Sequence, residues 1–332
     1  MSLIRKWIRY RRHILLSIFI ILAVLAIILA YALPSALDSK PKKIIVISKS
    51  SDMQVAFWWS LNNGIEAAAK ETGALCEYRA PAIEAEIDLQ IDMVYQAIAE
   101  KPDAIILAAT DYERLTDAAQ AVKDAGILLV TLDSNLSDSK GRLETFFVAT
   151  DNYEAGLKAG RAMRDLIPKD KKVAVISPLI LTNSSQNRDR GVRDGMNPET
   201  RILPTYDAGG SYDAAFAYVT ELLADPDIGG IIGLNENTTV GAARAIEAAG
   251  AQKRIKLVGF DSSYEQISYL ERGILSATVI QRPFNMGYLS IVKTLDALRG
   301  RSIESFVDTG SILITKDTIY LEENEKLLFP FE

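Results

Sequence analysis

From residue 44 onward the chain alternates short apolar runs with longer stretches of helical periodicity. No other feature constrains the fold as much. A strand, a helix and a second strand form a right-handed crossover, and repeated crossovers build a parallel sheet covered by helices. The strand-like runs are 44–48, 104–108, 127–132, 146–149, 173–176, 202–206, 230–234, 255–260 and 277–280, with a shorter one at 74–78. Helical stretches fall at 57–71, Ile87–Ala99, 113–124, 151–166, 188–196, 212–223, 238–249 and Tyr264–Glu271. Thr72-Gly73 reads as a helix stop, and Asp151 or Asn152 as a helix cap. About eleven strands exceed one comfortable sheet, so two similar α/β lobes are expected.

Four of the runs end in a carboxylate or carboxamide: Asp133, Asn235, Asp261 and Gln281. Ligands of open α/β sheets bind outside the carboxyl ends of the strands. Side chains of these types grip hydroxyls by accepting, donating or both. Phe57-Trp58-Trp59 opens the first helix above those ends. Flat rings suit the C–H faces of a sugar, so Phe57 and Trp58 are stacking candidates, whereas Trp59 points elsewhere on the helix. Tyr212, at another helix start, can stack from the opposite side. A guanidinium offers a fixed fork of donors, and either Arg188 or Arg190 can be the one that reaches; a surface ion pair is the plainer reading. Asp103 and Asp111 fit a turn and a helix cap better than a ligand.

The first residues carry Arg5, Lys6, Arg9, Arg11 and Arg12, followed by an uncharged apolar run at 14–33. Twenty residues of helix span roughly 30 Å, the thickness of a bilayer core, and a basic flank stays inside. A cleaved signal peptide has a shorter apolar stretch, about 7–15 residues, although Ala30-Tyr31-Ala32 would serve as its cleavage site. The length favours an uncleaved single-pass anchor with the body on the extracytoplasmic side; the alternative is a secreted or periplasmic body. The formal charge of −6 falls to −11 once the five flanking cations are set aside. Such an acidic body argues against nucleic acid and anionic lipid as partners.

The only histidine is His13 and the only cysteine Cys76. The body therefore lacks a histidine base, a zinc cluster and a disulfide. Cys76 fits a small buried hydrophobe better than a reactive thiol. No Gly-rich phosphate loop and no nucleophile elbow is present. No cofactor, metal or catalytic residue is expected; a pair of carboxylates brought together by the fold is the one enzymatic arrangement a sequence conceals.

The order of these motifs is familiar. Phe57-Trp58, Val130-Thr131-Leu132-Asp133, Arg188-Asp189-Arg190-Gly191, Leu234-Asn235-Glu236, Val258-Gly259-Phe260-Asp261 and Ala277-Thr278-Val279-Ile280-Gln281 together resemble the ribose/galactose-type periplasmic sugar-binding proteins, whose fold also forms the effector domain of lac-repressor-type regulators. The resemblance covers residues 43–315. It implies two doubly wound parallel-sheet lobes joined by a three-segment hinge, with crossings near 150–151, 281–282 and 308–312. The organisation would be a cytoplasmic flank (1–13), a transmembrane helix (14–33), a linker (34–42), one lobe from 43–150 plus 282–310, and another from 151–281 plus 311–332. It also implies that Phe57, Trp58 and Tyr212 stack on a sugar while Asp133, Arg188, Asn235, Asp261 and Gln281, with Ser48 as a weaker candidate, bind its hydroxyls.

Two departures bear on the ligand. Ser134 stands where ribose binders carry Arg after the Asp, and the loop 49–56 is longer than the ribose pattern, so Lys49, Asp52 or Gln54 can enter the pocket. The expected function is a membrane-tethered binder of a sugar or polyol that presents it to an ABC-type permease or a membrane sensor kinase. The alternatives are a carbohydrate-active enzyme on the same scaffold and a binder of a nucleoside or other non-sugar signal.

Overall fold

The protein, described by a computed structural model, is defined at residue 7, residues 17–26 and residues 40–328. Residues 17–26 are helical and largely exposed. The expected span 14–33 runs beyond them on both sides, outside the described residues, as do most of the flank and linker. No helix among the described residues is long and apolar enough to cross a membrane.

In chain order the body forms strands Lys43–Ile47 (β1), Leu75–Arg79 (β2), Ala104–Leu107 (β3), Leu128–Leu132 (β4), Phe147–Ala149 (β5), Lys172–Ser177 (β6), Tyr206–Asp207 (β7), Ile228–Gly233 (β8), Lys256–Phe260 (β9), Ala277–Ile280 (β10), Phe306–Asp308 (β11) and Ile312–Thr315 (β12). The helices are Ala56–Thr72 (α1), Ile87–Ala99 (α2), Thr116–Asp124 (α3), Asn152–Leu166 (α4), Asn183–Gly195 (α5), Tyr212–Leu222 (α6), Glu236–Ala248 (α7), Tyr264–Glu271 (α8), Pro283–Leu298 (α9) and Glu322–Leu328 (α10). Two six-stranded sheets result, in the orders β11-β5-β4-β3-β1-β2 and β12-β10-β9-β8-β6-β7. All their pairings are parallel except that of β10 with β12. This is the expected pair of α/β lobes. The chain passes between the sheets after β5, after β10 and between β11 and β12.

Both faces of each sheet are covered, which is why the strands read as unbroken apolar runs. Along β1 the side chains alternate: Ile44 and Val46 pack with Leu61, Ile65 and Met286 on one face. Ile45 and Ile47 pack with Val94, Leu115 and Ala119 on the other. In the second sheet Val173 and Val175 meet Ala155, Ala159 and Val192, while Ile176 and Ile231 meet Val219, Val240 and Ile246.

Glycines bring the helices that carry the candidate site into backbone contact. A Cβ on Gly64 of α1 would lie 2.1 Å from the Phe284 carbonyl oxygen of α9, and one on Gly287 2.1 Å from that of Leu61. In the second lobe a Cβ on Gly156 of α4 would lie 2.2 Å from the carbonyl of Arg188, and one on Gly191 2.2 Å from that of Tyr153. Gly241 of α7 stands in the same relation to Tyr212, at 2.4 Å. No real Cβ tolerates such distances, so these helix pairs seat Phe57, Trp58, Arg188 and Tyr212 by direct backbone contact.

Several elements differ from expectation. The run 202–206 yields only Tyr206–Asp207 and an isolated bridge from Ile202 to Val173, because Pro204 has no N–H to give a ladder. Helix α5 starts at Asn183 rather than 188. Its first turn is polar and without apolar periodicity, and Thr182 caps it by accepting from Ser185 N at 3.1 Å. Helix α9, with Pro283 in its first turn, was not anticipated. Asp151 does cap α4, accepting from Glu154 N at 3.0 Å. Gly73 closes α1 with φ 73°, the left-handed conformation glycine adopts freely.

Candidate ligand-binding site

The carboxyl ends of both sheets face a cavity of about 450 Å³ between the lobes, within the size range of small-molecule sites. Phe57, Trp58, Asp133, Arg188, Tyr212, Asn235, Asp261 and Gln281 all line it. Ser48 does not. It is fully buried at the end of β1, where its carbonyl accepts from Gln90 Nε2 at 2.8 Å.

The first-lobe wall is aromatic and charged. Phe57 and Trp58 sit edge to face, with centroids 4.7 Å apart. Both are buried because they also belong to the core under α1, so packing and ligand contact are one arrangement. Asp133 follows β4 with φ 59°, a left-handed turn that Asp tolerates better than most residues. The Lys49 amino group lies 2.6 Å from Asp133 Oδ2, with both side chains buried, and 5.5 Å from the Trp58 ring centroid. That contact lies outside hydrogen-bond geometry, and among the described residues Oδ2 has no other partner; it remains open to an in-line donor. Glu84, from the loop after β2, completes this wall. Burial pushes its carboxyl up, against the charge of Lys49.

The second-lobe wall is a hydrogen-bonded lattice. Arg188 spends two of its donors on Asn152 Oδ1 at 2.8 Å and the Leu234 carbonyl at 2.6 Å, with its guanidinium 4.6 Å from the Phe260 ring centroid. It is therefore held in one orientation. Arg190 is exposed and lies over Tyr153 at 5.0 Å, away from the cavity. Asp261, with φ 69°, accepts from Gln281 Nε2 at 2.6 Å and from the Glu236 backbone N–H at 3.1 Å. Burial pushes its carboxyl up, opposed by the Arg188 charge. Gln281 Oε1 has no partner among the described residues. Asn235 is the N-cap of α7: its Oδ1 accepts from Thr238 N at 3.0 Å and Thr238 Oγ1 at 2.9 Å. Only its amide NH2 is uncommitted to the cap. Tyr212 is half-buried, with the Arg244 guanidinium 5.4 Å from its ring centroid.

The lobes touch across the cavity. Ser184 N donates to Ser134 Oγ at 3.4 Å, Tyr112 N to the Leu181 carbonyl at 3.0 Å, and Ala56 N to Glu236 Oε2 at 3.2 Å. Ser134 thus joins the lobes where the ribose pattern has an arginine. Sequence reasoning missed Glu84 and Glu236. Glu84 lies in an irregular loop and gave no signal. Glu236 directly follows Asn235 at a strand end, and that adjacency would have found it. Trp59, as expected, points away from this cavity; it lines a separate groove of about 310 Å³ with Phe284 and Leu327. Burial pushes the Cys76 thiol up to about 11, so it is an inert neutral group at pH 7.

Two α/β lobes enclosing a cavity at their strand ends are the architecture of a two-lobed binding protein. The chain belongs to the periplasmic binding protein domain family, whose model matches residues 44–302. It is 27% identical over 289 residues to the ribose import binding protein RbsB of Bacillus subtilis, covering 86% of this chain and 92% of that protein. An ABC transporter solute-binding protein from Agrobacterium vitis with bound D-fucose superposes with a TM-score of 0.83 at 33% identity, covering 86% of this chain and 99% of that one. A chain of the XylFII–LytSN complex superposes with a TM-score of 0.76 at 26% identity, covering 84% and 99%. The Bacillus and Agrobacterium relatives are sugar-binding proteins of transport systems, and the expected kinship with ribose/galactose-type binders holds.

Proposed function

We propose that this protein binds a sugar or similar small polyol outside the cytoplasm, closing its two lobes on it and presenting it to a membrane partner. One observation carries the reading: eight residues able to stack on or hydrogen-bond a sugar line a single cavity, contributed by both lobes. Phe57, Trp58 and Tyr212 stack on the ring; Asp133, Arg188, Asn235, Asp261 and Gln281 engage hydroxyls. The lobes are 43–150 with 282–310 and 151–281 with 311–332, and the ligand shifts the population toward the closed form through its greater affinity for it. Lys49, 2.6 Å from Asp133, supplies a first-lobe cation near the place where ribose binders have arginine. Its different reach favours a ligand other than ribose, such as a hexose or a deoxyhexose of the kind bound by the Agrobacterium relative.

The apolar run 14–33 with its basic flank supports an uncleaved membrane tether. The partner is an ABC-type permease or a membrane sensor kinase; the transport roles named for the relatives favour the first, and the tether suits either. The test is a panel of pentoses, hexoses, polyols and nucleosides read by thermal shift and tryptophan fluorescence. A sugar should raise Tm and change the Trp58 emission. If nothing in the panel does, the reading fails. Retention of the chain in membranes after a high-salt wash tests the tether.

A further inference from the structure

Helix α1 carries Phe57 and Trp58, yet its own start is incomplete. Its N-cap position, Val55, makes no side-chain cap, and its first turn holds no acidic residue. A helix start leaves N–H groups unsatisfied and carries partial positive charge. The carboxylate that meets this end comes from the other lobe: Glu236, in the first turn of α7, accepts from Ala56 N at 3.2 Å and is 4% exposed. We propose that Glu236 is a closure latch, capping α1 from across the cleft so that the helix is completed only when the two lobes meet. This rests on the clamp reading above and adds a device that sets how readily the clamp shuts, even without ligand.

The latch is placed by the same turn that builds the second-lobe wall. Asn235 caps α7, and the Glu236 N–H is held by Asp261, so the Glu236 side chain leaves a fixed backbone toward the first lobe. The charged and titratable groups acting on it are Asp261 and Glu265 from the β9–α8 side and Tyr212 from α6; Arg244 on its own helix and Asp52 from the loop before α1 line the same cavity. Burial first, then the Asp261 charge, push its carboxyl up to about 7, against the pull of the Ala56 N–H. Separating the lobes removes the first-lobe share of that burial. It also removes the Ala56 N–H, which pulls the carboxyl the other way. The protonated carboxyl still accepts through its carbonyl oxygen, so the latch engages on both sides of that value.

The test is the closed-to-open ratio of the full chain without sugar. It is read by electron–electron resonance between nitroxides at Asp92→Cys and Lys253→Cys, in a Cys76→Ala background whose circular dichroism matches the native chain. Glu236→Gln keeps an uncharged acceptor and should close like the native chain at pH 5. Glu236→Ala should lose about fivefold at pH 5, the worth of one helix cap. If Glu236→Ala closes like native at pH 5, or Glu236→Gln closes no better than Glu236→Ala, there is no latch. Because no sugar is needed, failure of the sugar panel would leave this result standing, and the reverse.

Discussion

Asp133 and Asp261 occupy corresponding places in the two lobes. Each follows a central strand, each turns the chain with a positive φ, and each is buried against the cavity. Their neutralisation differs. Asp133 faces the ammonium of Lys49 at 2.6 Å, a buried ion pair. Asp261 is held by the neutral amide of Gln281 and a backbone N–H, with the Arg188 charge acting on it without an ion-pair contact. One fold device, used twice, thus yields a charged wall and a hydrogen-bonded wall. The charged wall depends on both partners being present, since a lone buried charge is costly; the hydrogen-bonded wall degrades one bond at a time.

The largest expected effect tests that difference directly. Asp133→Ala breaks the buried pair and leaves Lys49 only the more distant Glu84, and should cost about 3–5 kcal/mol in urea unfolding together with sugar binding. Asp261→Ala should cost about 1–3 kcal/mol, the price of unsatisfied donors. Equal losses would erase the comparison. Adding Lys49→Met to Asp133→Ala should recover most of the stability and none of the binding.

A pH series comes next. Glu236 titrates higher in the folded protein than unfolded, so its contribution to stability is fully present below about pH 4.5 and lost as pH rises through about 7. Glu236→Gln should therefore stabilise the fold at pH 8 by up to about 3 kcal/mol and leave it unchanged at pH 4, by thermal unfolding. Gains at both pH values would assign the effect to packing instead.

Overpacking compares how the two lobes seat their binding helices. Gly64→Ala and Gly156→Ala each drive a methyl into a facing carbonyl, at about 1–3 kcal/mol. Gly156→Ala should also weaken sugar binding more, because that carbonyl belongs to Arg188 itself. Smallest is Asn235→Ala, where losing the α7 cap should cost about 1 kcal/mol in stability, visible as a lower Tm. A larger loss of sugar affinity than of stability would separate the ligand role of its amide from its cap.

Much of the site was legible in one dimension because a parallel strand has one usable end. A polar residue just past that end is placed to face the cleft, and Asp133, Asn235, Asp261 and Gln281 do. Aromatic residues at a helix start were legible for the same reason. Ser48 sits at a strand end too, but the chain turns there under Gln90 and the hydroxyl is lost to the interior. The choice of Arg188 over Arg190 depended on Asn152 and the Leu234 carbonyl, partners far away in the chain.

The strand and helix order, the two-lobed class and most of the polar residues lining the cavity were therefore determined by sequence alone, since periodicity and strand polarity are local properties. The pairing of Lys49 with Asp133, the backbone contacts under Gly64 and Gly156, and the reach of Glu236 to the start of α1 were decided only in three dimensions. Each joins segments that lie far apart in the chain, and what a buried charge or a bare helix end requires is met by whichever residue the fold carries to it.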